Sequence, residues 1–370
     1  MKLQQLTFTR YIAALTVIFF HFGDAVFPAN HPWWGAIVKA GPIAVSYFFV
    51  LSGFIMAIAY YKRDEPFNKW QYWLARFARI YPIYLLALGL MIAANFSTEG
   101  SDPITVLLSL SMLQAWVPGY AMTLNSPGWS LSVEAFFYLL FPLLLLVVRQ
   151  RQLSTLLLVG IALWFISQGL QIGLQQLPSY AHRTPLHEFI FYHPLMHVST
   201  FILGFVFGVH FCKGKFNWLA GRWNGLALLL LCKLLVLVLA YEKPVLHALH
   251  IKGEYYNNGL LVPLFIAIIA LLATNTGWTA RLFSMPLLVL LGEASYSIYI
   301  LQRPIYGLYE RLLGKHLAGY PELHFYLFVV ALTALAVLLF KFFETPARYF
   351  INSLYSSSEK SSQHYTERTN

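Results

Sequence analysis

Apolar residues come in long blocks along this chain, separated by short polar and basic stretches. A block of about 18 or more apolar residues can span the hydrocarbon core of a bilayer as a helix. Such blocks recur at roughly 8–27, 42–61, 78–95, 130–148, 153–172, 194–212, 224–241, 258–274, 286–308 and 323–345, with ends good to about four residues. Backbone groups in lipid must be satisfied internally, so each block reads as a helix. The pattern predicts an all-α polytopic membrane protein with about ten transmembrane helices. The stretch 104–128 breaks the scheme. Ile104 to Trp116 is apolar but short, and the following VPGYAMTLNSPG is rich in turn formers. It is read as a re-entrant or interfacial segment on the outer side. Irregular backbone at membrane depth survives only against protein or a cavity, so a cavity is expected beside it.

Composition agrees with that pattern. Of 370 residues, 58% are hydrophobic and 11% charged, against about 45–50% and about 25% in soluble domains. Trp and Tyr flank many of the blocks, as interfacial belts do. The net charge of +10 sits in short loops, which fits the positive-inside bias better than a nucleic-acid surface. Lys62, Arg63, Lys69, Arg76 and Arg79 place the loop after the second span in the cytoplasm, and Glu99 and Asp102 place the next one outside. Arg149, Arg151, Lys213, Lys215, Arg222 and Arg281 mark further cytoplasmic loops, so both termini are expected in the cytoplasm. The first block has no small-residue cleavage site and reads as a retained span. Residues 1–350 form one transmembrane domain in this reading, and 351–370 a polar cytoplasmic tail, expected to be disordered from Ser356 onward. No internal repeat is seen.

Ionisable residues within a span are costly and need a reason. Arg10 and His21 lie eleven residues apart in the first span. Helical geometry puts them within about 20° of one face, separated by a rise of about 16 Å. That approximates the reach of the pantetheine arm of coenzyme A, with phosphates at Arg10 and a reacting atom at His21. A neutral imidazole is a suitable general base near pH 7. The plain alternative is a snorkelling arginine and a core histidine. Asp24, three residues on, either orients the imidazole or sits at the interface. Arg76 and Arg79 have i,i+3 spacing at the start of the third span, and their forks suit phosphate, although positive-inside topology also explains them. Glu134 lies early in a span, four residues after Ser130 and near Trp129 and Tyr138. It could pair with His21 or Arg10, hold an acceptor hydroxyl, or simply favour a helix N-terminus. Ser52 and Gly53 interrupt an apolar run and read as a close-packing point for a helix or ligand. Cys212 and Cys232 suggest neither a disulfide framework nor a metal site. His182, His187, His193 and His197 lack a ligand pattern, and there is neither a GxSxG elbow nor a phosphate-cradling glycine loop.

In order along the chain, TRYIAALTVIFFH, FFVLSGF, RFARIYP, WSLSVEAFFYLLFP, LLGEASYSIYIL and FFETPARYF resemble the phrases of the acyltransferase-3 family of bacterial membrane acyltransferases. The resemblance runs from about residue 5 to about residue 350. It implies transfer of an acyl group, commonly acetyl, from cytoplasmic acyl-CoA to a hydroxyl of a cell-surface glycan or lipid-linked sugar, with no metal. It implies His21 as the base and Arg10, Arg76 and Arg79 as donor-handling or structural residues. Beside these, Glu134 is expected to orient His21 or the acceptor as a catalytic residue, and Ser52, Trp129 and Tyr138 to lie at the donor. Three departures stand out. The first-span arginine is preceded by LTFT where the family often has an acidic residue and a glycine. A middle span carries His197 and Thr200 near positions where the family often has arginine and glutamate. Gln302 stands where the family often has histidine. Some members carry a fused extracytoplasmic hydrolase-like domain; this chain is expected to act without one. A polytopic transporter of a small acid or glycan intermediate is the rival reading, and a transiently acylated His21 or serine is a variant of the first.

Overall fold

A run of apolar residues often ends where glycine, proline or a capping side chain interrupts it, and such residues set several of the helix limits here. The structure, a computed structural model, describes residues 3–31, 34–38, 40–61, 66–94, 102–248, 253 and 256–354. Lys62, Arg63, Glu99 and the tail from Ser356, all used above, lie outside the described residues. The main helices are α1 (Gln4–Phe22), α2 (Gly41–Tyr60), α3 (Lys69–Ala93), α4 (Pro103–Leu110), α5 (Gly128–Arg149) and α6 (Leu153–Gln175). They continue with α7 (Pro185–Tyr192), α8 (Pro194–Cys212), α9 (Asn224–Ala248), α10 (Val262–Thr274), α11 (Pro286–Tyr309) and α12 (Pro321–Leu339). No strand occurs among the described residues.

Among the described residues, seven helices are long and apolar enough to cross a membrane, counting α7 with α8 as one 28-residue span, Pro185–Cys212. A helix also underlies each of the other three expected spans. Of these, α10 has 13 residues, and α1 and α11 carry the polar residues that line the interior. Helix α3 starts at Lys69, two turns before the expected 78, because Asn68 caps it by accepting from Trp70 N and Gln71 N. Arg76 and Arg79 therefore lie inside the helix and not at its mouth. The helical chain beginning at Pro321 continues to Leu354, past the expected boundary at 350.

Glycines set the tightest contact. A Cβ on Gly53 of α2 would fall 2.2 Å from the Phe201 carbonyl oxygen, and one on Gly204 of α8 would fall 2.1 Å from that of Val50. Backbones approach this closely only where side chains are missing. Gly53 thus serves packing, as its small size suggested, while its neighbour Ser52 turns toward a cavity. Gly292 does the same for α11 against α1, where its Cβ would meet Thr7 O at 2.0 Å.

Residues 111–127 are irregular apart from one short 3-10 turn, Gln114–Trp116. Protein groups meet part of their polar content: Ser132 Oγ donates to Met112 O at 2.6 Å, Gln114 Nε2 donates to Gly128 O at 2.9 Å, and Asn125 Nδ2 donates to Ile300 O at 2.9 Å. Met112 and Leu124 take positive φ, 57° and 52°, a conformation costing about 1–2 kcal/mol each. The expected cavity is present, with Gly119, Met122, Thr123, Leu124 and Ser126 on its wall.

Candidate active site

Six of the residues singled out in the sequence meet in one cavity. Arg10 comes from α1, Ser52 from α2, Arg76 and Arg79 from α3, and Glu134 and Tyr138 from α5. Helical spacing explains the local pairs: Arg76 and Arg79 are three apart, Glu134 and Tyr138 four apart, so each pair shares a face. The Tyr138 hydroxyl donates to Glu134. Arg76 donates to Tyr60 OH at 3.1 Å and lies over the Tyr60 and Tyr138 rings, 5.6 and 5.9 Å from their centroids. Among the described residues, none of the three arginines forms an ion pair. Three guanidinium heads thus face one lining carboxylate. An excess of positive charge around one interior cavity calls for an anionic ligand, and guanidinium forks suit phosphate oxygens.

His21 faces a different space. It lines a vestibule of two lobes, which share His21, Met122, Ser126, His182, His187 and Tyr192. Trp129, expected beside the donor, lies in this vestibule instead, packed on Tyr192 and His197 with centroids 5.0 and 5.4 Å away. One residue of sequence accounts for the split: Trp129 and Ser130 diverge by about 100° on α5, and Ser130 faces the arginine cavity. Arg10 and His21 therefore both face the interior, but in separate chambers. The chambers adjoin at Val45 and Tyr299, which line both. Tyr299 is fixed in that partition by its hydroxyl, 2.8 Å from Ser130 Oγ.

The expected pairing of Glu134 with His21 or Arg10 is replaced by other contacts. Glu134 is engaged by Tyr138, and the imidazole is held by Gln302, whose Oε1 is 2.9 Å from His21 Nδ1. Gln302 Nε2 donates to Tyr299 O at 2.7 Å, which fixes the amide and leaves its oxygen toward the ring. Nδ1 must then carry the proton and donate, and Nε2 keeps its lone pair. Gln302 was visible in the sequence only as a departure from a family pattern. Its neighbours Ser295, Tyr299 and Tyr306 recur at i,i+3/4 spacing on α11, a signal of an inward face.

Glu344, from the FFETPARYF phrase, was also missed as a site residue. It is 3% exposed, accepts from Ser297 Oγ at 2.8 Å and feels the charges of Arg79 and Arg10. Asp24 is exposed just beyond the end of α1. His197 is buried with its Nε2 2.9 Å from Phe191 O, and Thr200 donates to His197 O. Among the described residues, no group of three or more His, Cys, Asp or Glu side chains is placed to hold a metal.

The chain matches the sequence model of an acyltransferase domain over residues 3–342. It is 28% identical over 342 residues to the acyltransferase MdmB of Streptomyces mycarofaciens, covering 86% of this chain and 82% of that protein. It is 24% identical over 383 residues to the O-acetyltransferase OatA of Staphylococcus aureus, covering 94% of this chain but only 59% of that longer protein. No solved structure matches. With the match extending over nearly its whole length, the chain belongs to the acyltransferase-3 family of membrane acyltransferases.

Proposed function

We propose that this protein is an O-acyltransferase of a bacterial cytoplasmic membrane. It crosses the bilayer ten times with both termini in the cytoplasm. It moves an acyl group, acetyl in the first instance, from cytoplasmic acyl-CoA to a hydroxyl of a cell-surface glycan or lipid-linked sugar. The observation that carries this reading is the partition at Val45 and Tyr299, with a cationic chamber on one side and His21 on the other.

Acyl-CoA enters the arginine cavity, its phosphates held by Arg10, Arg76 and Arg79. The pantetheine arm runs between Val45 and Tyr299 and brings the thioester to His21. The acceptor hydroxyl arrives through the vestibule. His21 Nε2 takes the hydroxyl proton as the oxygen attacks the thioester carbonyl. The C–S bond then breaks, CoA leaves as thiolate, and the imidazolium returns the proton to sulfur. Gln302 keeps Nδ1 protonated throughout, so Nε2 is the atom that cycles. Glu134 acts on the donor side, holding Tyr138 against the Arg76 guanidinium.

The test is release of CoA thiol by the purified protein, together with transfer of a labelled acyl group to membrane glycan or lipid-linked sugar. His21→Ala should reduce both by about a thousandfold while donor binding persists. Full transfer by that variant would refute the assignment of the base. Vectorial movement of a substrate without thiol release would establish the transporter reading instead.

A further inference from the structure

The vestibule holds a cation that the acyl-transfer scheme above does not use. Arg303 follows Gln302 on α11 and lines the same wall as His21. Its Nε donates to Ser126 Oγ at 2.9 Å, which anchors the guanidinium and leaves its two terminal NH2 groups without a partner among the described residues. Arg183 lines the same space from a turn where it adopts φ 63°. Among the described residues the one carboxylate lining the vestibule is Glu188, and it forms no ion pair with either arginine. Its Oε2 accepts from the backbone N–H groups of Gly119 and Ala121, at 2.6 and 3.3 Å, and so pins the irregular segment. An arginine anchored at one nitrogen with its fork open toward a cavity is arranged to receive an oxyanion.

Resting on the acyl-transfer reading, we propose that Arg303, supported by Arg183, forms an anion subsite, and that the acceptor presents its hydroxyl next to a phosphate or carboxylate group. His21 and Arg303 line the same lobe and His21 feels the charge of Arg303, so the anion would bind beside the base. The two sources of such an anion are the diphosphate of a lipid-linked sugar and the carboxylate of a uronic acid. A neutral sugar offers the guanidinium fork only uncharged acceptors, and this gives the site a means of discriminating between acceptors.

The test is equilibrium binding to the full chain in lipid nanodiscs saturated with CoA, so that the arginine cavity is already filled. Three probes are titrated separately: inorganic pyrophosphate, methyl β-glucuronide and methyl β-glucoside. At least one anionic probe should bind more tightly than the glucoside. Arg303→Gln should weaken that probe about tenfold or more, Arg303→Lys less, and Arg183→Gln less again, all with unchanged CoA affinity and thermal stability. Pyrophosphate preference identifies a diphosphate acceptor, and glucuronide preference identifies a uronate. Anion binding that vanishes on adding CoA, equals that of the glucoside, or is unchanged in Arg303→Gln overturns the subsite. If Arg303→Gln loses CoA binding through misfolding, Arg303→Lys with Arg183→Gln decides by the same criteria. Binding is read without chemistry, so its failure is distinct from absence of CoA-thiol release, which would count against acyl transfer.

Discussion

The arginine cavity takes its functional side chains from helices α1, α2, α3, α5 and α11, whereas the vestibule takes much of its wall from the irregular stretch 111–127 and the turn around His182. Groups mounted on packed helices are held more closely than groups on turns. The close approach of α2 and α8 at Gly53 and Gly204 shows how little freedom the first set has. In the proposed function the helical cavity is the one that takes the nucleotide end of CoA. A wall of turns can be rebuilt without disturbing the bundle, and in the proposed function it is the wall that meets the acceptor. His21 belongs to both designs: its backbone sits on a helix, and its imidazole faces the vestibule.

Three substitutions separate the two regions, in descending order of effect. Val45→Phe narrows the partition and should slow transfer about a hundredfold while leaving donor affinity within about twofold. Equal losses in both would mean that Val45 only supports the cavity. Arg76→Gln removes a charged hydrogen-bonding head from the helical cavity and should raise KM for acyl-CoA about tenfold or more, with KM for the acceptor unchanged. An effect on the acceptor would merge the two sites. Gln302→Leu should lower kcat several-fold to about tenfold and alter neither KM. In protein labelled with 15N-histidine, wild type should show His21 protonated at Nδ1, and the variant a mixture of tautomers. A wild-type ring protonated at Nε2 would remove Gln302 from its positioning role.

The local pairs were legible before the structure because helical periodicity alone fixes them. Glu134 and Tyr138 are four residues apart on α5, and Arg76 and Arg79 three apart on α3. The irregular stretch 111–127 was legible from its proline, glycine and asparagine content, and the cavity beside it from the need to satisfy backbone in lipid. The chamber assigned to each residue was not. Trp129 faces His21, while Ser130 faces the arginines. A span boundary good to about four residues leaves the rotation of a helix against its neighbours undetermined, and that rotation sorts adjacent residues into different chambers.

The sequence by itself determined that the chain forms apolar helices, that Arg10 and His21 share one stripe of the first, and that six phrases stand in the order typical of one family. These are short-range properties, set by helix period and by the cost of exposing backbone to lipid. Tertiary structure alone decided the partner of the imidazole, 281 residues away at Gln302, the anchor of Arg303, 177 residues away at Ser126, and the partition between the two chambers. These contacts depend on how distant helices rotate and pack against one another, and no local pattern encodes a distance across the bundle.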